Sequence, residues 1–294
     1  MHPVHPDGGP QQRAAVLGSP IGHSKSPLLH GAAYAAIGVD CSYSAVDLGT
    51  DSLARFIADV RATPGWRGLS VTMPLKAAMA ELTDTNVELA TAVGVVNTVV
   101  VEDRGAGRFL TGHNTDVVGI SDALTSSGVD RPSRSVILGG GGTAAAAIAG
   151  LAALHAPSVE VVVRRPEGAR DALRIGALSG IDVVIQPWDR AEAALRSADV
   201  VISTLPPRAG DPLAGSLGPG TGFRTDGTLL DVAYDPWPSA LARSWQTAGG
   251  AVVHGLDMLI HQAAEQVRLF FPEVLQNRSA VLDVMCDAVG TPRR

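Results

Sequence analysis

SVILGGGGTAAAAIAGLAAL, residues 135–154, is the stretch on which the fold turns. An apolar strand, Ser135 to Leu138, runs into four glycines, and an alanine-rich helix to about Leu154 follows. Read as G-x-G-x-x-A over Gly139, Gly141 and Ala144, the turn fits the fingerprint of a dinucleotide-binding unit. Glycine permits the tight turn and lets a pyrophosphate approach backbone amides at the helix N-terminus. Glycine runs also occur in plain loops, so the weight lies in the placement between strand and helix. Gly139, Gly140, Gly141, Gly142 and Thr143 are the candidate cofactor residues of this turn.

The next strand, Val159 to Val163, ends at Arg164-Arg165-Pro166. An NAD site places an acid here for the ribose hydroxyl, whereas arginine suits the extra phosphate of NADP. Arg164 and Arg165 are therefore candidate phosphate ligands, with Arg170 a further one. Strands over Asp182–Pro187, Asp199–Leu205, Thr228–Ala233 and Ala251–Val253 complete a doubly wound sheet. Thr204, at the end of one of them, falls where a nicotinamide would lie. Gly255 then opens a helix whose apolar face is Leu256, Leu259, Ala263, Val267, Phe270 and Val274, with Gln262 off that face.

Upstream of the glycine turn, strand and helix also alternate. Ala14 to Gly18 is a short strand; Ser26-Pro27 supplies an N-cap and a first-turn proline for a helix stopped by Gly38. Cys41 to Val46 is a strand, Asp51 opens a helix, and Leu69 to Val71 is a strand again, which predicts a largely parallel sheet. The polar residues collect at its ends. Gly22-His23-Ser24-Lys25-Ser26 puts two hydroxyls at a helix start, where free amides and the helix dipole favour a carboxylate. Thr72, Lys76, Asn97, Asn114 and Asp116 all follow strand ends or turns, where open α/β sheets gather their chemistry.

The 294 residues suit about two domains, and 46% hydrophobic with 18% charged residues describe an ordinary globular protein. A net charge of −6 leaves no basic footprint for nucleic acid, and aromatics are scarce. Cys41 and Cys286 form no metal-ligand spacing and read as two reduced thiols; His2 and His5, in a polar leading segment read as a flexible tail, make no metal site. No apolar run reaches the ~20 residues of a membrane span, and no signal peptide is recognisable, so the expected compartment is the cytoplasm.

Five blocks carry a resemblance: GSPIGHSKSP (18–27), VTMPLK (71–76), VGVVNT (93–98), GHNTD (112–116) and GLDMLIHQAA (255–264). In order and spacing they resemble the shikimate dehydrogenase family over nearly the whole chain. The resemblance implies an α/β protein with two domains. The first is a mostly parallel α/β substrate domain over 1–115 plus 252–294, made discontinuous by the returning helix; the second is a doubly wound Rossmann NADP domain over 116–251, with the cleft between them. It implies reversible, NADPH-dependent reduction of 3-dehydroshikimate to shikimate by a monomer or homodimer without metal. It assigns Ser24 and Ser26 to the substrate carboxylate, and Thr72, Asn97 and Gln262 to its hydroxyls, with Tyr234 facing it. Lys76 and Asp116 become the catalytic pair, and Thr204 and Gly255 join the cofactor residues. His113 departs from the family pattern and reads as exposed; the Arg164 position, often asparagine in the family, departs too. Quinate or an aminated shikimate on the same scaffold is the nearest alternative. A non-catalytic sensor of such acids should have lost the Lys/Asp pair or gained a DNA-binding segment, and neither is seen.

Overall fold

The computed structural model describes residues 11–105, 107–166, 169–218, 220–274 and 277–293. The leading segment with His2 and His5 lies outside the described residues, as does the side chain of Arg170. In chain order the elements begin β1 (Gln12–Gly18), α1 (Ser26–Ala36), β2 (Cys41–Asp47), α2 (Thr50–Ala62), β3 (Trp66–Val71), α3 (Lys76–Leu82), β4 (Thr85–Asn86), α4 (Glu88–Val93), β5 (Thr98–Asp103) and β6 (Arg108–His113). There follow α5 (Asp116–Ser126), β7 (Ser135–Leu138), α6 (Gly142–Ala153), β8 (Ser158–Val163), α7 (Arg170–Ser179), β9 (Asp182–Pro187), α8 (Ala191–Ser197), β10 (Val200–Ser203), α9 (Asp211–Ser216), β11 (Thr228–Asp231), α10 (Ala240–Thr247), β12 (Ala251–His254), α11 (Gly255–Phe270) and α12 (Arg278–Val289).

Two compact units result: Met1–Thr115 with Gln262–Arg294, and Asp116–His261. The division runs inside α11, between His261 and Gln262, where the sequence reading puts it at 252.

In the first unit the described strands form a sheet in the order β2-β1-β3-β5-β6-β4. β1 pairs in parallel with β2 and β3, and β4 with β6, but β5 is antiparallel to both β3 and β6. The sheet is thus largely parallel, as strand–helix alternation predicts, with β5 the antiparallel exception. The cause is local: β5 and β6 are joined by a short turn through Gly105, whose φ is 77°, and a tight turn can join only antiparallel neighbours. Leu17, Leu53, Ile57, Leu69, Leu75, Met79, Val99 and Leu110 are buried together beneath this sheet. Each large side chain among them contributes ~1.5–3 kcal/mol by leaving water.

In the second unit the order is β12-β11-β10-β7-β8-β9, and every pair is parallel. Strands buried on both faces read as continuous apolar runs, and β7, β10 and β11 are buried along their whole length. Trp245 of α10 fills one side with Leu195, Val201 and Leu229, and its indole N–H donates to the Gly227 carbonyl at 3.0 Å. On α6 the alanines permit close packing; a Cβ added at Gly150 would sit 3.3 Å from the Val117 carbonyl oxygen of α5. Among the described residues no helix is long and apolar enough to cross a membrane.

Candidate active site

In the first unit, β1, β3 and β6 end at the same edge of the sheet. β5 begins there because it runs the other way. Ser24 and Ser26 follow β1, Thr72 and Lys76 follow β3, Asn97 precedes β5, and Asn114 and Thr115 follow β6. The first two strand ends are drawn tightly together. Thr72 N–H donates to Leu17 O at 2.9 Å, and a Cβ on Gly18 would collide with the Thr72 side chain and lie 2.9 Å from Met73 O. Lys76 is the first residue of α3, half-buried, and its carbonyl accepts from Val96 N at 3.0 Å, which ties it to the Asn97 turn.

Asn97 is the hub of this edge. Its Oδ1 accepts from Thr115 N at 2.7 Å and from Thr98 Oγ1 at 2.8 Å; its Nδ2 donates to Thr115 Oγ1 at 3.0 Å and to Gln262 Oε1 at 3.3 Å. Thr115 Oγ1 also donates to Gln262 Oε1 at 3.1 Å. Asn97 and Gln262 are both buried, and every one of these bonds spares a polar group the cost of desolvation without a partner, ~1–3 kcal/mol. α11 is buried around more than the one apolar face expected of it: Met258, Ile260 and Ala264 are buried as well as Gln262.

Ser26 corrects the sequence reading in detail. The N-cap of α1 is Lys25, without a side-chain cap, and Ser26 is the first residue of the helix proper. Its backbone N–H reaches Ser24 Oγ at 3.3 Å, and its side chain is buried. His113 differs as well: it is half-buried on β6, and burial, with Arg268 nearby, lowers its pKa against the pull of Glu265.

Residues that the sequence reading passed over complete this edge. His30, Tyr43, Ser70, Thr98 and Gln266 form a polar cluster behind it, with His30, Ser70, Thr98 and Gln266 buried. Two signals exist in the sequence: Gln266 stands four residues after Gln262 on one helical side, and Ser70 interrupts an apolar strand.

In the second unit the strand order reverses between β7 and β10, and there the glycine turn begins. Gly139 has φ 112°, which excludes a side chain, and a Cβ on it would lie 2.5 Å from Thr204 Oγ1. Thr204 ties β10 to β7, its N–H and its hydroxyl each donating to Leu138 O at 2.9 Å. Gly140 abuts Val163 of β8. Gly141 is different: a Cβ there meets nothing within 4 Å, and as N-cap of α6 it offers no side chain to the first-turn amides. Open space before unfilled helix amides is what a pyrophosphate needs, so this turn fits a dinucleotide. Arg164 and Arg165 follow β8, the neighbour of β7, and both are exposed. Gly255 has a packing reason of its own, since a Cβ would run into the Val232 carbonyl and lie 2.8 Å from Asp231 O.

Tyr234, after β11, is half-buried, and burial raises its pKa. Asp116 opens α5 and is buried. A cavity of about 270 Å³ opens at the ends of β10 and β11, lined by Leu205, Pro206, Asp231, Trp237, Ser239 and Arg243 among others. Asp231 accepts from Ser239 Oγ at 2.6 Å, and burial raises its pKa. Among the described residues no group of three metal-ligating side chains is found.

A parallel sheet in this strand order, with a glycine turn at its reversal, defines a dinucleotide-binding domain; joined to a polar-edged α/β unit, it belongs with two-domain oxidoreductases. The family described as shikimate dehydrogenase substrate binding domain matches residues 16–99. A shikimate dehydrogenase (NADP(+)) of Oleidesulfovibrio alaskensis is 37% identical, covering 94% of this chain and 96% of that one. The crystal structure of Mycobacterium tuberculosis shikimate dehydrogenase superposes with a TM-score of 0.82 at 36% identity, over 94% of this chain and 99% of that one. That of Thermus thermophilus shikimate 5-dehydrogenase, in complex with NADP(H) and shikimate, gives 0.77 at 29% identity, over 94% and 99%. The chain belongs to the shikimate dehydrogenase family.

Proposed function

We propose that this protein catalyses the reversible, NADP-dependent interconversion of 3-dehydroshikimate and shikimate. The observation that carries the reading is the polar edge of the first unit, where Ser24, Ser26, Thr72, Lys76, Asn97 and Gln262 gather at one set of strand ends. Ser24 and Ser26 hold the carboxylate. Thr72, Asn97 and Gln262 meet ring hydroxyls, each of which both donates and accepts. Such a site rejects analogues lacking a hydroxyl, because its own buried groups would be left unpaired. Tyr234 contributes to substrate binding.

Bound, the dinucleotide supplies or accepts the hydride. Lys76, with Asp116, gives the proton that the developing alkoxide needs and takes it back in the reverse direction. The amides of Gly139 to Thr143 receive the pyrophosphate, Arg164 and Arg165 the 2′-phosphate, and Thr204 and Gly255 shape the nicotinamide end. The reading places the enzyme in the cytoplasm, where Cys41, its thiol pushed up to about 12 by burial, and the buried Cys286 stay reduced. The test is absorbance at the nicotinamide band with shikimate and quinate, each against NADP and NAD. Fastest turnover with shikimate and NADP is expected. Preference for quinate would reassign the substrate, and no change with any pair would end the reading.

A further inference from the structure

Tyr234 stands on a loop that leaves β11 at Asp231 and reaches α10 at Ala240. One carboxyl group holds both ends of that loop. Asp231 Oδ1 accepts from the N–H of Ala233, next to Tyr234, at 3.3 Å, and Oδ2 accepts from Ser239 Oγ at 2.6 Å. Ser239 is the N-cap of α10, where its Oγ accepts from Ala242 N–H at 3.0 Å, so its one proton is left for Asp231. A length of 2.6 Å is that of a hydroxyl donating to a carboxylate, the stronger kind of hydrogen bond.

One side of the loop borders the cavity of about 270 Å³, whose wall includes Ala233, Pro236, Trp237 and Ser239 as well as Leu205 and Leu241. Backbone that faces a void lacks the contacts by which close packing fixes position. The other anchors hold the root of the loop and its far half. Val232 N–H donates to Ser203 O at 3.0 Å, tying the root to β10. The Trp237 ring lies on that of His254 of β12, with centroids 3.8 Å apart. Between root and far half, Tyr234 takes its place from the bonds of Asp231 to Ala233 before it and to Ser239 after it.

We infer that Asp231 is a positioning residue for Tyr234: by tying Ala233 to Ser239 it closes the loop and fixes where the phenol meets the substrate. This inference rests on the substrate role proposed for Tyr234. Its test is the KM for shikimate. A side-chain amide has one accepting end, so Asp231→Asn keeps one of the two bonds and turns an N–H on the other donor. KM should rise about tenfold, with kcat within about threefold and the Kd of NADPH, read from its fluorescence, within about twofold. Ser239→Ala should raise KM likewise, and Ser239→Thr, which returns the hydroxyl, should bring it back to within about twofold of wild type. A general loosening of the domain would act whether or not the phenol is present. In a Tyr234→Phe background, therefore, Asp231→Asn should raise KM by less than about twofold. Should Asp231→Asn fail to fold, Ser239→Ala in the same two backgrounds decides.

An unchanged KM in Asp231→Asn, no recovery in Ser239→Thr, an equal loss of NADPH affinity, or the same rise with and without the Tyr234 hydroxyl overturns the inference and leaves the role of Tyr234 standing. A Tyr234→Phe enzyme with unaltered KM overturns that role, and the inference with it.

Discussion

At the strand ends of the first unit the candidate residues are side chains held by other side chains: Asn97 alone engages Thr98, Thr115 and Gln262. At the strand ends of the second unit the chain presents mainly backbone, the amides after Gly141, flanked by exposed Arg164 and Arg165. The contrast follows from what each edge is proposed to bind. A ring with a fixed pattern of hydroxyls is read by oriented donors and acceptors, and orientation requires a buried, fully bonded support. A pyrophosphate presents charge on every side, and amides with a helix dipole suffice.

The largest effect expected is at the first edge. Lys76→Met, which keeps the aliphatic stem, should lower turnover by ~10²-fold or more, the usual weight of general acid–base catalysis, with NADP binding and folding intact. Turnover within a few-fold of wild type would remove Lys76 from the chemistry. The next is at the second edge. Arg165→Ala should weaken NADP(H) by roughly 1.5–3 kcal/mol, the range for hydrogen bonds to charged groups, and leave NAD(H) nearly unchanged. Because Arg165 is exposed, its loss should not move the melting temperature. Equal weakening of both cofactors would show that it does not read the 2′-phosphate.

At neutral pH no effect is expected on stability, but on acidification one appears, and its sign should separate the two edges. His30 in the folded first unit titrates at about 3, against an unfolded value near 6.5, because burial penalises its charged form. Below pH 6.5 the unfolded chain therefore binds the extra proton. Stability should fall by about 1.4 kcal/mol per pH unit on acidification toward 3, and His30→Gln should flatten that slope. Asp231 in the second unit has the opposite sign: burial raises its pKa, so its contribution is present at low pH and is lost as pH rises through the folded value. An NMR titration showing His30 protonating near 6.5 in the folded protein would erase the contrast.

The second edge was the more legible in sequence because its parts are contiguous: four glycines, a strand before, a helix after, two arginines at the next strand end. The first edge is assembled from residues as far apart as Ser70 and Gln266, which share no local pattern. Its polar residues were visible as strand-end punctuation, but their support was not. Ser26 shows why. Local rules make it a helix cap, and only the folded chain shows Lys25 at the cap and Ser26 buried one residue into the helix. The antiparallel β5 escaped for a related reason, since alternation of strands and helices says nothing about a hairpin until the turn at Gly105 is formed. His113, read as a surface residue, is half-buried because β6 lies between β5 and β4 within the sheet.

The discontinuity of the first unit has a consequence for the nascent chain. Gln262 and Gln266 hold Asn97 and Ser70, and Phe270 packs against Gly68 so closely that a Cβ there would strike its ring. As the chain leaves the ribosome, residues 1–115 emerge first but lack these partners until residues beyond 261 have been made. The intervening unit, Asp116–His261, is contiguous and carries its whole parallel sheet, so it can complete itself while the earlier segment waits. Of the two units, the one reached first is thus finished last, and its buried polar groups stay open to water and to chaperones until α11 arrives.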